Sequence, residues 1–399
     1  MVSRREFLAD SVRAIPAVGG ILGSPLPLLA AATARDALLR TAPRARHWTS
    51  PALAGSDCAQ CHEPLPRGHA TKAAHAPGLV RCLLCAQACT LRPGERGRCR
   101  ARLNVNGELR SLVYGRPAAV NVDPIEKKPF YHFLPGSAAF SIGTAGCPLR
   151  CRFCQNWQLS QAAPEDLDAR FVPPAELVAA ARARAAVIAF TYNEPTVAFE
   201  YVLDVARAGR EKGIRSVLVS CGFMRPAPLD ELCEALAAIK IDLKGFDEAF
   251  YRDVCGAALA PVLDSIARVR KRGVHLELVN LVVPTLNDSE PMLRGLVDWV
   301  KAELGADVPL HFTRFHPDFQ IRNLAPTPIA TLEHARDVAL GRGLRYVYVG
   351  NVPGHAGNHT LCPGCGMELI HRSGFLVLEN RLAAGRCPRC DEAIAGVWA

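Results

Sequence analysis

The sequence predicts an α/β protein: a full or partial (β/α)6-type barrel, with an N-terminal cysteine-rich segment before it and a C-terminal zinc-ribbon-like module after it. Three observations predict this. Between residues 137 and 352, apolar β-rich runs alternate with amphipathic Ala-, Leu- and Arg-rich segments. Runs buried on both faces and separated by helices imply parallel strands joined by right-handed crossovers. Sixteen cysteines are present, and thirteen of them fall into short-spaced groups on loops or knuckle turns. An open doubly wound sheet is the alternative reading of the same alternation.

Residues 1–35 read as a twin-arginine-type leader: "SRREFL" (Ser3–Leu8) precedes an apolar, Gly- and Pro-rich stretch with a small-residue end suited to cleavage. No other stretch reaches the roughly 18 uninterrupted apolar residues of a spanning helix. Residues 36–80 form a linker without a clear period. It contains "CAQCH", Cys58 to His62, which matches the c-type haem attachment motif. His62 would be the proximal ligand and His69 or His75 the distal one; another metal, or no cofactor, are the alternatives.

Residues 81–136 begin with Cys82, Cys85, Cys89 and Cys99 and continue as short strands with an Asn106–Gly107 turn. Within residues 137–352 the expected strands are "AAFSIG", "AVIAFTY", "SVLVS", "AIKIDL", "HLELVNLVV", "LHFTRF" and "YVYVG". Two of the intervening helical patterns end in Gly after Lys or Arg, a stop signal. Residues 353–399 carry "CPGCG" and "CPRCD" either side of a hairpin-like run.

The composition is that of an ordinary globular chain, 49% hydrophobic and 21% charged. A formal charge of +9 is scattered, without a basic stripe interleaved with aromatics, which argues against nucleic acid. Cys221, Cys233 and Cys255 stand alone and read as packing residues.

The cysteine spacings carry the chemistry. Cys147, Cys151 and Cys154 follow the first core strand as C-x3-C-x2-C. A cubane iron–sulfur cluster has four irons, so three thiolates leave one iron open to a ligand. The quartet Cys82, Cys85, Cys89 and Cys99 is a closed set that suits an auxiliary iron–sulfur cluster or zinc, and thiolates alone do not separate these. Cys362, Cys365, Cys387 and Cys390 read as a zinc ribbon without an open position.

From Arg81 to Trp398 the chain resembles the radical SAM component of the AmmeMemoRadiSam system, a group similar to pyruvate formate-lyase activating enzymes. The matching stretches are "CLLCAQACTLRPGERGRCRAR", "PIEKKPFYHFLPGS", "GTAGCPLRCRFCQNWQLSQ", "TYNEPT", "DLKGF", "VVPTLND", "RFHPDF" and "YVYVGNVPGH". The resemblance implies a [4Fe-4S] cluster on Cys147, Cys151 and Cys154, and S-adenosylmethionine on its open iron. It implies Asn193 and Glu194 near the S-adenosylmethionine amino group, with a helix-capping acid as the other reading of Glu194. It places Ser220 near the carboxylate, although Val219 and Cys221 flank it here in place of an acid and an Asn. Asp242 and Lys244 point at the barrel mouth, as ligands or as a structural ion pair, and His316 matches a histidine near the cofactor.

The expected activity is reductive cleavage of S-adenosylmethionine to a 5′-deoxyadenosyl radical, acting on a protein glycine or a small molecule. A low-potential electron donor and the other AmmeMemoRadiSam components are the implied partners. The alternative is an exported electron-transfer protein with c-type haem and iron–sulfur centres; a zinc-rich scaffold is a third. A leader suggests twin-arginine export, whereas dependence on S-adenosylmethionine suggests a chain that is cytoplasmic or tethered on the cytoplasmic side of the membrane.

Overall fold

A computed structural model describes residues 35–50 and 77–399. The leader and the CAQCH motif, with Cys58, Cys61, His62, His69 and His75, lie outside the described residues. Eight strands form the central sheet: β1 (Ala119–Pro124), β2 (Ala138–Gly143), β3 (Val187–Phe190), β4 (Arg215–Ser220), β5 (Ala238–Asp242), β6 (His275–Val282), β7 (Leu310–Arg314) and β8 (Val347–Gly350). Their spatial order is their chain order, and β1 and β8 are the two edges. Strands β2 to β8 run parallel, and β1 pairs antiparallel with β2.

Sequential order decides between the two expected architectures. A right-handed crossover always advances the same way, so without a reversal every helix lands on one face. The sheet is therefore a partial barrel, open between β1 and β8. The helices that join the parallel strands are α1 (Pro174–Arg182), α2 (Phe199–Glu211), α3 (Pro226–Ala235), α4 (Ala260–Lys271), α5 (Glu290–Leu304) and α6 (Ile329–Gly341). Leu177, Val202, Leu229, Ile266 and Leu296 from these helices form one core with Ile188, Leu218, Ile239, Leu278 and Phe312 from the strands. The stop glycines after α2 and α4, Gly213 and Gly273, both have positive φ, as helix-ending glycines do.

The inner face is graded. Near the strand starts it is small and apolar, with Ala139, Ala189, Val217 and Ala238 packed against Phe130 and Phe133 from the segment after β1. Beyond that floor the inward positions turn polar: Lys240 and Asp242 on β5, Glu277 on β6, His311 and Thr313 on β7. Two aromatic rings thus close one end and leave the strands' C-terminal ends to form a cavity.

Two small modules flank the sheet. In the first, a hairpin of Arg102–Val105 and Glu108–Ser111 turns at Asn106–Gly107, both at positive φ as such two-residue turns require. The second module is antiparallel, Thr360–Leu361, Glu368–Ser373 and Leu376–Asn380, with the last four cysteines at its end. It packs on Tyr131, Tyr346 and Tyr348, and Val397 bridges Phe133. Arg372, 1% exposed, lies 4.1 Å over the Tyr131 ring and donates to Asn358 O, Thr360 Oγ1 and Tyr131 O. Among the described residues, no helix is long and apolar enough to cross a membrane.

Candidate active site

The loop leaving β2 carries Cys147, Cys151 and Cys154 into a cavity of about 270 Å³ at the C-terminal ends of the strands. Its course is set by backbone bonds to a neighbouring segment. Arg150 N donates to Cys255 O and Arg152 N to Val254 O, both in the π-helical turn Tyr251–Cys255. Such turns recur at functional sites because they displace backbone groups from the helical ladder. Asn193 ties the same loop to the end of β3: its Oδ1 accepts from Thr144 N, and its Nδ2 donates to Thr144 Oγ1 and Gly146 O. Tyr192 beside it sits at φ 73°, an unusual conformation for a non-glycine residue, and its O accepts from Asn156 Nδ2.

Asn193, Glu194, Ser220, Asp242 and Lys244 all line this cavity with the three cysteines. Glu194 is 2% exposed. Its Oε1 accepts from Thr196 N, Thr196 Oγ1 and Ser220 Oγ, and its Oε2 from Cys221 N. The expected capping role is therefore present, at the start of the turn Pro195–Ala198. A carboxylate has about four acceptor positions, so these four donors fill them and hold the group in one orientation. Asp242 pairs with Lys240 and Lys244. Burial would push its carboxyl up, but the two lysine charges and their hydrogen bonds outweigh it and hold the group at about 2.

His316 departs from expectation: it is exposed and is not among the cavity-lining residues. The strand before it ends at Arg314, and the histidine that reaches the cavity is His311, five residues earlier. The isolated cysteines also need correction. Cys221 lines the cavity, and the Cys255 thiol bonds Cys151, holding the Cys151 thiol below its usual range against the pull of burial. Burial and then Glu194 push the Cys147 thiol well up. Thiols kept protonated this way must release protons when a metal takes them.

Among the described residues, ligand atoms lying within 4.8 Å of one another occur in two groups, Cys362/Cys365/Cys387/Cys390 and His359/Glu368/His371. The first has sulfur separations of 3.5 and 3.7 Å. A tetrahedral zinc with Zn–S near 2.3 Å sets sulfurs about 3.8 Å apart, so this quartet fits zinc. Cys147, Cys151 and Cys154 are too spread to share one ion, and they line a single cavity. That donor set fits a cluster better than a single ion, and Glu194 lines the same cavity.

Residues 141–294 match the Radical SAM superfamily. An uncharacterized protein of Methanocaldococcus jannaschii is 42% identical over 318 residues, 79% of this chain and 95% of that protein. The chain belongs to the radical SAM superfamily. This radical SAM chain is also similar to a pyruvate formate-lyase-activating enzyme of Clostridium pasteurianum, 25% identical over 167 residues, which cover 39% of this chain and 66% of that enzyme. A solved domain of a pyruvate-formate lyase-activating enzyme from Bacteroides vulgatus has 17% identity and a TM-score of 0.37, covering 41% of this chain and 98% of that domain. Lys240, His311 and Thr313, which the sequence reading left out, and Cys221, read as a packing residue, also line the radical SAM cavity. For Lys240, His311 and Thr313 the signal was the period of two in β5 and β7, which sets them on the inward face; Cys221, just past the end of β4, carried no such signal.

Proposed function

We propose that this chain reductively cleaves S-adenosylmethionine in the manner of the glycyl-radical activating enzymes. The observation that carries the reading is the convergence of three cysteines with Glu194 and Ser220 on one cavity. Cys147, Cys151 and Cys154 would hold a [4Fe-4S] cluster, and the buried Glu194 carboxylate, which lines the same cavity, would face the ammonium of the cofactor. When bound, the cluster and S-adenosylmethionine supply a 5′-deoxyadenosyl radical by one-electron reduction of the sulfonium.

The protein's own part is to exclude and position. Asn193 fixes the loop, Ser220 orients the Glu194 carboxylate, and the Lys240–Asp242–Lys244 array presents fixed charge across the cavity. Preorganised groups of this kind need no rearrangement when the ligand binds. The substrate is a protein glycine or a small molecule. The motif set supports membership of the AmmeMemoRadiSam system, and a low-potential donor is the electron source. The leader would direct the chain to the twin-arginine route or tether it on the cytoplasmic side.

The test is electron paramagnetic resonance of the anaerobically reconstituted, dithionite-reduced chain. Addition of S-adenosylmethionine should shift the cluster signal, because the ligand coordinates iron. A signal indifferent to S-adenosylmethionine would refute the reading.

A further inference from the structure

We propose that Cys82, Cys85, Cys89 and Cys99 hold a second iron–sulfur cluster, not zinc, one residue away from the Cys147 site and placed to pass it single electrons. Spacing alone leaves the metal open; geometry does not. The four cysteines line one cavity with Leu84, Gly97, Arg102, Pro148 and Val197. Yet among the described residues they form no group of ligand atoms within 4.8 Å, whereas the C-terminal quartet does. A single zinc needs sulfurs about 3.8 Å apart. A cluster interposes several irons and sulfides between its thiolates and spreads them further. The N-terminal quartet thus resembles the Cys147 set in its spread and differs from the zinc ribbon in the same chain.

The surroundings call for an anion. Arg102 is 1% exposed and reaches Glu200 through both terminal nitrogens, at 2.9 and 2.8 Å. Its Nε is buried without a hydrogen-bond partner. A buried, unmet donor in the wall of a four-thiolate cavity is costly unless something anionic faces it. Arg98 N already donates to Cys89 Sγ at 3.4 Å, the kind of N–H to sulfur bond that tunes a cluster. Gly97 lies beside two of the sulfurs: a Cβ there would stand at ordinary contact distance, 3.6 Å from Cys99 Sγ and 3.9 Å from Cys89 Sγ.

The two sites share a wall. Pro148 lines the quartet's cavity, while Cys147 and Leu149 on either side of it line the larger one. The loops are clamped together: Gln87 Nε2 donates to Pro148 O, and Arg150 Nη2 to Arg98 O. Gly146, at φ 96°, approaches so closely that a Cβ would stand 2.2 Å from Cys99 O. One electron from a low-potential one-electron donor protein reduces the quartet's cluster, and the same electron leaves it for the Cys147 site. No bond or proton changes hands. This relay rests on the radical reading of the Cys147 site, but the metal assignment does not.

The full chain, and a variant with Cys147, Cys151 and Cys154 all changed to Ala, are each reconstituted anaerobically with iron and sulfide. The triple variant should keep about two to four irons with matching sulfide, a reducible resonance signal, and about one zinc per chain. A variant without iron and with about two zincs would overturn the assignment. If the triple variant does not fold, the wild type decides: more than about four irons per chain supports the second cluster, and about four irons with two zincs refutes it. In reduced wild type the two signals should broaden each other, a coupling missing from the triple variant. Uncoupled signals would overturn the shared-wall relay while leaving the cluster assignment standing.

Discussion

Asn193 serves the cysteine loop before it serves any ligand, because three of its hydrogen bonds end on Thr144 and Gly146. Asn193→Ala should cost about 1–3 kcal/mol, read by urea unfolding of the metal-free chain, and should lower iron incorporation. An unchanged unfolding free energy would contradict the tie. Residues of this scale were legible where chemistry demanded a rare spacing. Cys147, Cys151 and Cys154 announce themselves, since three thiolates at that interval have few structural uses. Glu194 was legible as an acid at a strand end, and its side chain both caps the following turn and lines the cavity. Cys255 was not legible, because its closeness to Cys151 arises from a turn a hundred residues downstream. His316 misled because motif position says where a residue falls in the chain but not which way the strand's exit turns.

At the scale of elements, the strands were readable because runs such as "VIAF" and "VYVG" are short, largely apolar and preceded by helical patterns. What they concealed was the inward parity. Lys240, Glu277 and His311 sit inside runs that look uniformly apolar until alternate positions are separated. Glu277, fully buried, accepts from Tyr131 N, His132 N, His275 and His311, and the two histidines hold its carboxyl well below the usual range against the cost of burial. The docking of the C-terminal module hangs on the same region. His132 bonds Ala395 O and Tyr348 through its two ring nitrogens, and burial lowers it from 6.5 to about 3. A depressed folded value means that stability is complete above 6.5 and is lost as pH falls toward 3. The unfolding free energy should therefore drop between about pH 7 and about pH 5, less steeply in His132→Gln. Equal slopes would remove His132 from the account. Arg372→Met leaves Glu126 buried without its 3.7 Å partner and should destabilise by about 3–5 kcal/mol, measured by denaturant midpoint.

For the whole molecule, an open sheet of eight strands leaves a gap that a closed barrel would not have. The C-terminal module lies against that side of the molecule, and Phe375 from its hairpin turn reaches the cavity lining. The module was legible from its two Cys pairs; its place against β8 was not, since Tyr131, Tyr348 and Arg372 meet only after the chain has passed the whole sheet. Zinc should therefore stabilise more than the module. A chelator that strips it should lower the thermal midpoint of the entire chain, and loss of zinc without any shift would show the module to be independent. The central claim is that three cysteines leave an iron free for S-adenosylmethionine. Its most direct measurement is 5′-deoxyadenosine formed by the reconstituted, dithionite-reduced chain with S-adenosylmethionine, beside a Cys147→Ala control. The account predicts product from the wild type and none from the control; no product above the control would contradict it.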